Sequence, residues 1–324
     1  MRLCDLELEL EGSALGERVE RLCDELARKK LQWQPYVWLS DDWFTPEGAS
    51  GFAVPFYLAH PRLVRLEHDQ MFEAEGSTHV SCMRLLRHET GHAIDNAYRL
   101  HRRSDWRAAF GRYSDPYRTD YQPIPTSKNY VQNLGHWYGQ SHPAEDWAET
   151  FSVWLAPNSR WRAVYAGWPA LKKLVAVDAM MKEIAAKKPA VRTRTREDSL
   201  PQLRTTLREH YRRKKASYDV KQPWRHDRQL RIAFAPPGSP SNRRGEHAAT
   251  FLRDARVGLR NKVSALTGCH RYMVDEALNS MIRRCRELGL RLSRPRAQAR
   301  LGAAVLLAMI TLALSGGGRP RYSR

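Results

Sequence analysis

The sequence predicts an α+β fold: a small N-terminal sheet and several helices in its first part, followed by a mainly helical, basic region. Three observations carry this expectation. Hydrophobic residues make up 42% of the 324-residue chain and include ten tryptophans among the aromatics, enough apolar surface for a packed core rather than a disordered chain. Short β-branched and aromatic runs cluster in the first seventy or so residues, whereas apolar residues at helical spacing recur from end to end. The charge also changes along the chain. Residues 1–190 hold 24 basic and 25 acidic side chains, a net of −1, while residues 191–324 hold 30 and 10, a net of +20.

The elements follow in order. Leu15, Val19, Leu22 and Leu26 share one face of a helix over 14–30. PYVWLS (35–40) and FAVPFYLA (52–59) read as strands, with Pro55 confining the second to a sheet edge or an irregular strand. RLVRLE (62–67) alternates and reads as a further strand. A helix runs from Ser77 or Thr78, as N-cap, to near Leu100. Residues 111–142 form a long aromatic, turn-rich loop, and loops of that length usually serve function. Pro143 then opens a helix, Glu145 and Asp146 suit the positive end of its dipole, and Trp147, Phe151, Trp154 and Leu155 form its apolar stripe up to Pro157. Helical segments are expected at 160–187, then a Pro- and Arg-rich linker, then helices at about 248–265, 271–288 and 298–314.

Composition excludes some classes. None of the five cysteines stands in a CxxC pair, which argues against a disulfide framework or a thiolate metal site. The N-terminus MRLCDLELELEGS lacks the basic and apolar regions of a signal peptide, so a cytoplasmic compartment is expected. Residues 301–314 are apolar but span only about 21 Å as a helix, short of a roughly 30 Å bilayer core. A buried or partner-packed helix is expected there, with a C-terminal membrane anchor as the alternative. The basic half reads either as a site for nucleic acid or another anionic partner through 191–324, or as a solvated Arg-rich surface.

The chemistry lies in RHETGHAID, residues 87–95. His88 and His92 sit one above the other on a helical face, so two ring nitrogens can reach one Zn²⁺. Glu89 points about 100° away around the axis, poorly placed as a ligand and well placed as a general base. The positions three and six after His92 are Asp95 and Tyr98, which excludes the metzincin continuation of glycine and histidine. The later EDWAE stretch instead offers Glu145 and Glu149, one turn apart: one suits a ligand, the other suits taking the second ring N–H of a ligand histidine. His101, His136 and His142 read as loop or helix-end residues, Cys82 as a small buried residue, and Tyr130 and Trp137 either as lining of the cleft or as cover for the core. Asp95 reads either as support for His92 or as a helix-surface acid.

HETGHAID followed by YGQSHPAEDWAETF resembles the HExGH-type gluzincin zinc metallopeptidases of bacteria and, more distantly, the catalytic domain of anthrax lethal factor. The resemblance covers residues 78–157. It implies a zincin-like metallopeptidase domain over 1–188 and covers nothing beyond; composition and helical spacing alone give the basic linker over 189–247 and the helical basic module over 248–324. It implies His88, His92 and Glu145 as ligands of one Zn²⁺, Glu89 as base, Tyr138 as oxyanion stabiliser and Glu149 as support. The expected function is a zinc-dependent peptidase that hydrolyses peptide or protein substrates with a metal-activated water. Residues 52–59 would hold an extended substrate by strand pairing, or would form a plain core strand. The competing expectation is a protein that binds nucleic acid or an acidic partner and carries a structural or vestigial metal site.

Overall fold

The structure is a computed structural model that describes residues 1–117, 123–135, 137–218, 226–238 and 245–315. His136 and the glycine-rich stretch after Ser315 lie outside the described residues. Helix predominates and the sheet is small, two parallel strands, so the α+β expectation holds at that level. The chain forms two compact units. One comprises Met1–Asp69 and Ala74–Glu209; the other comprises Gln70–Glu73 and His210–Ser323.

In the first unit, α1 (Ala14–Arg28) is capped by the Ser13 hydroxyl, which accepts from the Gly16 N–H. Strands β1 (Tyr36–Ser40) and β2 (Gly51–Pro55) pair in parallel, Trp38 opposite Ala53. The connecting loop folds back so that Phe44 bridges Ala53 in the antiparallel sense, and the Ala53 N–H donates to the Phe44 carbonyl at 2.8 Å. One residue can hold two such partners only on opposite edges of its strand. β2 is therefore covered on both sides at Ala53 and buried along its length, the core-strand alternative rather than a free edge.

Residues 62–67 are not a strand. They lie inside α2 (Pro61–Met71), and the residues turned away from solvent are Leu63, Val64, Leu66, Glu67, Gln70 and Met71. That spacing is helical, and Pro61 is tolerated in a first turn that needs no donor from it. The alternation seen in RLVRLE was too short to separate the two periods.

The scaffold of the unit is the pair formed by α3 (His79–Tyr98) and α5 (Pro143–Leu155). Thr78 caps α3 by accepting from the Ser81 N–H. Between the pair lie α4 (Ser104–Phe110) and a one-turn 3₁₀ segment, Tyr138–Gln140; α6 (Trp161–Val164) and α7 (Ala170–Ile184) follow. The stripe Trp147, Phe151, Trp154 and Leu155 is buried as expected.

Gly91 sets how close α3 and α5 come. A β-carbon added there would stand 2.9 Å from Ala148 Cα and 3.3 Å from Phe151 Cβ. The freed space brings the Gly91 carbonyl to the Trp147 indole N–H, which donates to it at 2.7 Å.

The expected boundaries at 188 and 247 do not match the division of the chain. Tyr36, Trp38 and Ser40 donate side-chain hydrogen bonds to the carbonyls of Thr195, Glu197 and Asp198, and Leu3 and Cys4 donate to Thr205 and Leu203. Residues up to Glu209 thus belong to the first unit, and the division falls within α8 (Leu207–Ser217). α9 (Asp227–Ala233) carries Leu230 into the core of the second unit, beside Phe234. That core is completed by α10 (Ala248–Asp254), α11 (Arg256–Thr267), α12 (Arg271–Glu287) and α13 (Arg296–Ser315). The single helix expected over 248–265 is two, broken at Ala255.

Gly91→Ala should push α5 away from α3. The expected effect is a loss of about 1–3 kcal/mol from overpacking, read by urea unfolding followed by tryptophan fluorescence. That signal reports the first unit, since Trp33 to Trp168 supply nine of the ten indoles.

Candidate metal centre

His88 and His92 project from the middle of α3 towards the first turn of α5, where Glu145 sits. His88 Nε2 is 3.1 Å and His92 Nε2 3.3 Å from Glu145 Oε2, and the two ring nitrogens are 3.2 Å apart. This group of two imidazole nitrogens and one carboxylate oxygen could hold a metal ion. The side chains of His88 and Glu145 are almost wholly enclosed, whereas that of His92 is 18% exposed, so the cluster meets solvent on the His92 side.

Glu149, one turn further along α5, meets the other nitrogen of the His88 ring. Glu149 Oε1 is 3.0 Å from His88 Nδ1. Glu149 also accepts from the Asn133 N–H at 3.0 Å, the Asn133 side-chain amide at 3.2 Å and the Leu134 N–H at 2.8 Å. Donors on this many sides fix the carboxylate in place. With His88 protonated, its Nδ1–H donates to Glu149, and its Nε2 is left facing Glu145.

Glu89 lies outside the three-atom cluster, as its place on the helix predicts. Its Oε2 accepts from the Thr45 hydroxyl at 2.8 Å, a residue of the loop between β1 and β2. Burial pushes the Glu89 carboxyl up, against the pull of His88, His92 and the Thr45 hydroxyl. At His88, burial disfavours the imidazolium, yet the bonds to Glu145 and Glu149 outweigh it and carry the pKa up to about 10. Burial likewise opposes the Glu145 charge, but His92 and His88 hold that carboxyl far below its usual range. These charges are therefore mutually dependent, and removing one alters the others.

Tyr138 is buried, its ring centroid 5.8 Å from that of His88. A hydroxyl does reach the Glu145 carboxylate, from another tyrosine. Tyr117 donates to Glu145 Oε1 at 2.8 Å and stacks on His142, ring centroids 3.8 Å apart. His142 is the N-cap of α5: its Nδ1 accepts from the Ala144 N–H and its Nε2 pairs with the Asp115 carbonyl. Asp95 supports His101 rather than His92, accepting from its backbone N–H at 2.7 Å and pairing with its Nδ1 at 2.9 Å. Cys82 is buried, as expected.

Three residues escaped the sequence reading: Thr45, Tyr117 and Asn133. Each lies in an irregular segment with no periodicity to mark it. The only available signal was the turn-rich, aromatic character of the two loops. Comparison of the chain with family profiles, with curated proteins and with solved structures finds no match.

Because His88 reaches neutral pH protonated in the metal-free site, loading a divalent cation should release about one proton per site. Calorimetry in buffers of different ionisation enthalpy reads this directly. Glu149→Gln should weaken cation binding by roughly 10–100-fold, measured by competition with a chromogenic chelator.

Proposed function

We propose that the first unit is a zinc-dependent peptidase of the gluzincin type, with a zincin-like arrangement of α3 and α5. The donor set supports one Zn²⁺. Ligand atoms about 2.0–2.1 Å from a tetrahedral ion stand about 3.3–3.4 Å from one another. The three separations here are 3.1, 3.2 and 3.3 Å. Two histidines and one carboxylate make up the catalytic class of zinc site, which keeps one position open, whereas structural zinc sites are closed and usually rich in cysteine. His88, His92 and Glu145 would hold the ion, which when bound acidifies a water and polarises a carbonyl.

The chain's own groups then have separable roles. Glu89, its carboxyl pKa pushed up by burial and its side chain oriented by Thr45, takes a proton from the attacking water and passes it to the leaving amine. The Tyr138 hydroxyl stabilises charge developing on the carbonyl oxygen. Tyr117 holds the free oxygen of Glu145, so that a single oxygen of that carboxylate faces the histidines. Glu149 fixes the tautomer of His88. The enclosed cluster, open on the His92 side, strengthens each of these electrostatic effects by excluding water.

The observation that carries this reading is the combination of three converging donors with a fourth, buried, raised-pKa carboxyl that is not one of them. A purely structural ion would give Glu89 no task. Metal analysis and turnover of a denatured protein pool test it together. Glu89→Gln should retain about one equivalent of zinc and lose roughly 10²–10⁴-fold in turnover, whereas His88→Ala should lose both. Tyr138→Phe should lower kcat by about 10²–10³-fold with zinc content unchanged. A Glu89→Gln protein that still hydrolyses peptides at the parent rate would end the proposal.

A further inference from the structure

The second unit has a feature that peptide hydrolysis leaves unexplained. Leu301, Val305 and Met309 on α13 are 68, 53 and 53% exposed. Their i, i+4, i+8 spacing puts them within about 80° of helix circumference, a continuous aliphatic stripe. No charged residue occurs between 301 and 315. The opposite face of the same helix is interior: Ala303 and Leu307 are fully buried, Ile310 is 3% and Leu306 4% exposed, all within the core of the unit. On α11, which packs against α13, Val257 and Leu266 are exposed as well. The unit as a whole, residues 70–73 and 210–323, holds 24 Lys and Arg against 8 Asp and Glu, a net of +16. Arg294 and Arg300, which precede Leu301 in the chain, are exposed.

We propose that the exposed face of α13 docks the second unit onto an anionic lipid bilayer, with the helix lying in the plane of the surface. By length and composition Arg296–Leu314 could cross a membrane. Crossing would strip Ala303, Leu306, Leu307 and Ile310 out of the core they complete, whereas lying flat leaves that core intact. An in-plane helix needs an aliphatic face for the acyl boundary and guanidinium groups for the headgroups, and both are present. The stripe also separates this partner from two others. Duplex nucleic acid matches the charge but offers a phosphate backbone that gains nothing from exposed Leu, Val and Met. A second copy would match the aliphatic face but would bring +16 against +16.

Sedimentation of the full chain with vesicles tests this, one set of phosphatidylcholine alone and one with phosphatidylserine added. The wild type should partition onto the phosphatidylserine vesicles at least about tenfold more strongly than onto the neutral ones, and high salt should weaken that binding. Val305→Gln/Met309→Gln should lower partitioning by roughly tenfold. Its circular dichroism should be unchanged, because both side chains point outward and glutamine favours helix. Arg294→Gln/Arg300→Gln should lose the preference for phosphatidylserine. Wild-type protein left in the supernatant with both vesicle types overturns the proposal, with no variant needed. It is equally overturned if the two-glutamine variant binds vesicles as well as the wild type does. Two further results would also overturn it: a wild type that binds duplex DNA but not vesicles, or a dimer that ignores vesicles and becomes monomeric in that variant. Peptidase activity enters none of these readouts, so the docking surface and the enzymatic reading stand or fall separately.

Discussion

The close crossing of α3 and α5 is the contact on which the first unit depends. A glycine facing Ala148 lets the two helix backbones approach within a distance that any larger residue would forbid. Across that approach, one helix supplies two imidazoles and the other two carboxylates, one turn apart. His88 is gripped from both sides, Glu145 at Nε2 and Glu149 at Nδ1. The indole of Trp147 locks the crossing by donating to the carbonyl of the same glycine. Packing and chemistry thus share one constraint: the glycine that reads as part of a metal motif acts here as a spacer.

The loops then complete what the helices begin. Thr45 reaches Glu89 from the connection between the strands, Asn133 and Leu134 reach Glu149, and Tyr117 reaches Glu145. None of these groups touches the three converging donor atoms, yet each decides the charge or direction of one that does or of the neighbouring base. Burial raises the stakes of every such bond, because a carboxylate withdrawn from water must find its donors within the protein. Glu149, with two backbone N–H groups, an amide and an imidazole around it, meets that requirement fully. Its separation from the first turn of α5 left helix-dipole preference unable to account for it, and the His88 ring supplies the reason for its place.

The second unit divides its surface differently. Its core accepts one face of α13 and leaves the other aliphatic and exposed, while its charge is strongly one-signed. Acids of this unit are tied into local pairs with arginines, as Asp275 is with Arg256 and Arg260, and Asp227 with Arg284. Neutralising those few pairs leaves the excess of positive charge on the surface.

Sequence alone determined the elements whose periodicity is long and the residues whose roles follow from position on one helix. His88 and His92 share a face because 3.6 residues make a turn, Glu89 turns away for the same reason, and Pro143 and the acids after it mark the start of α5. Such relations are local and need no folding to be read. Tertiary structure decided everything that spans the chain. It made 62–67 a helix, because a six-residue alternation fits two periods and packing selects one. It joined residues up to Glu209 to the first unit through side-chain bonds from β1, which no composition shift records. It brought Tyr117 to the Glu145 carboxylate and Asp95 to His101, because distance in space between loop residues is fixed by the path of the backbone and leaves no period in the sequence.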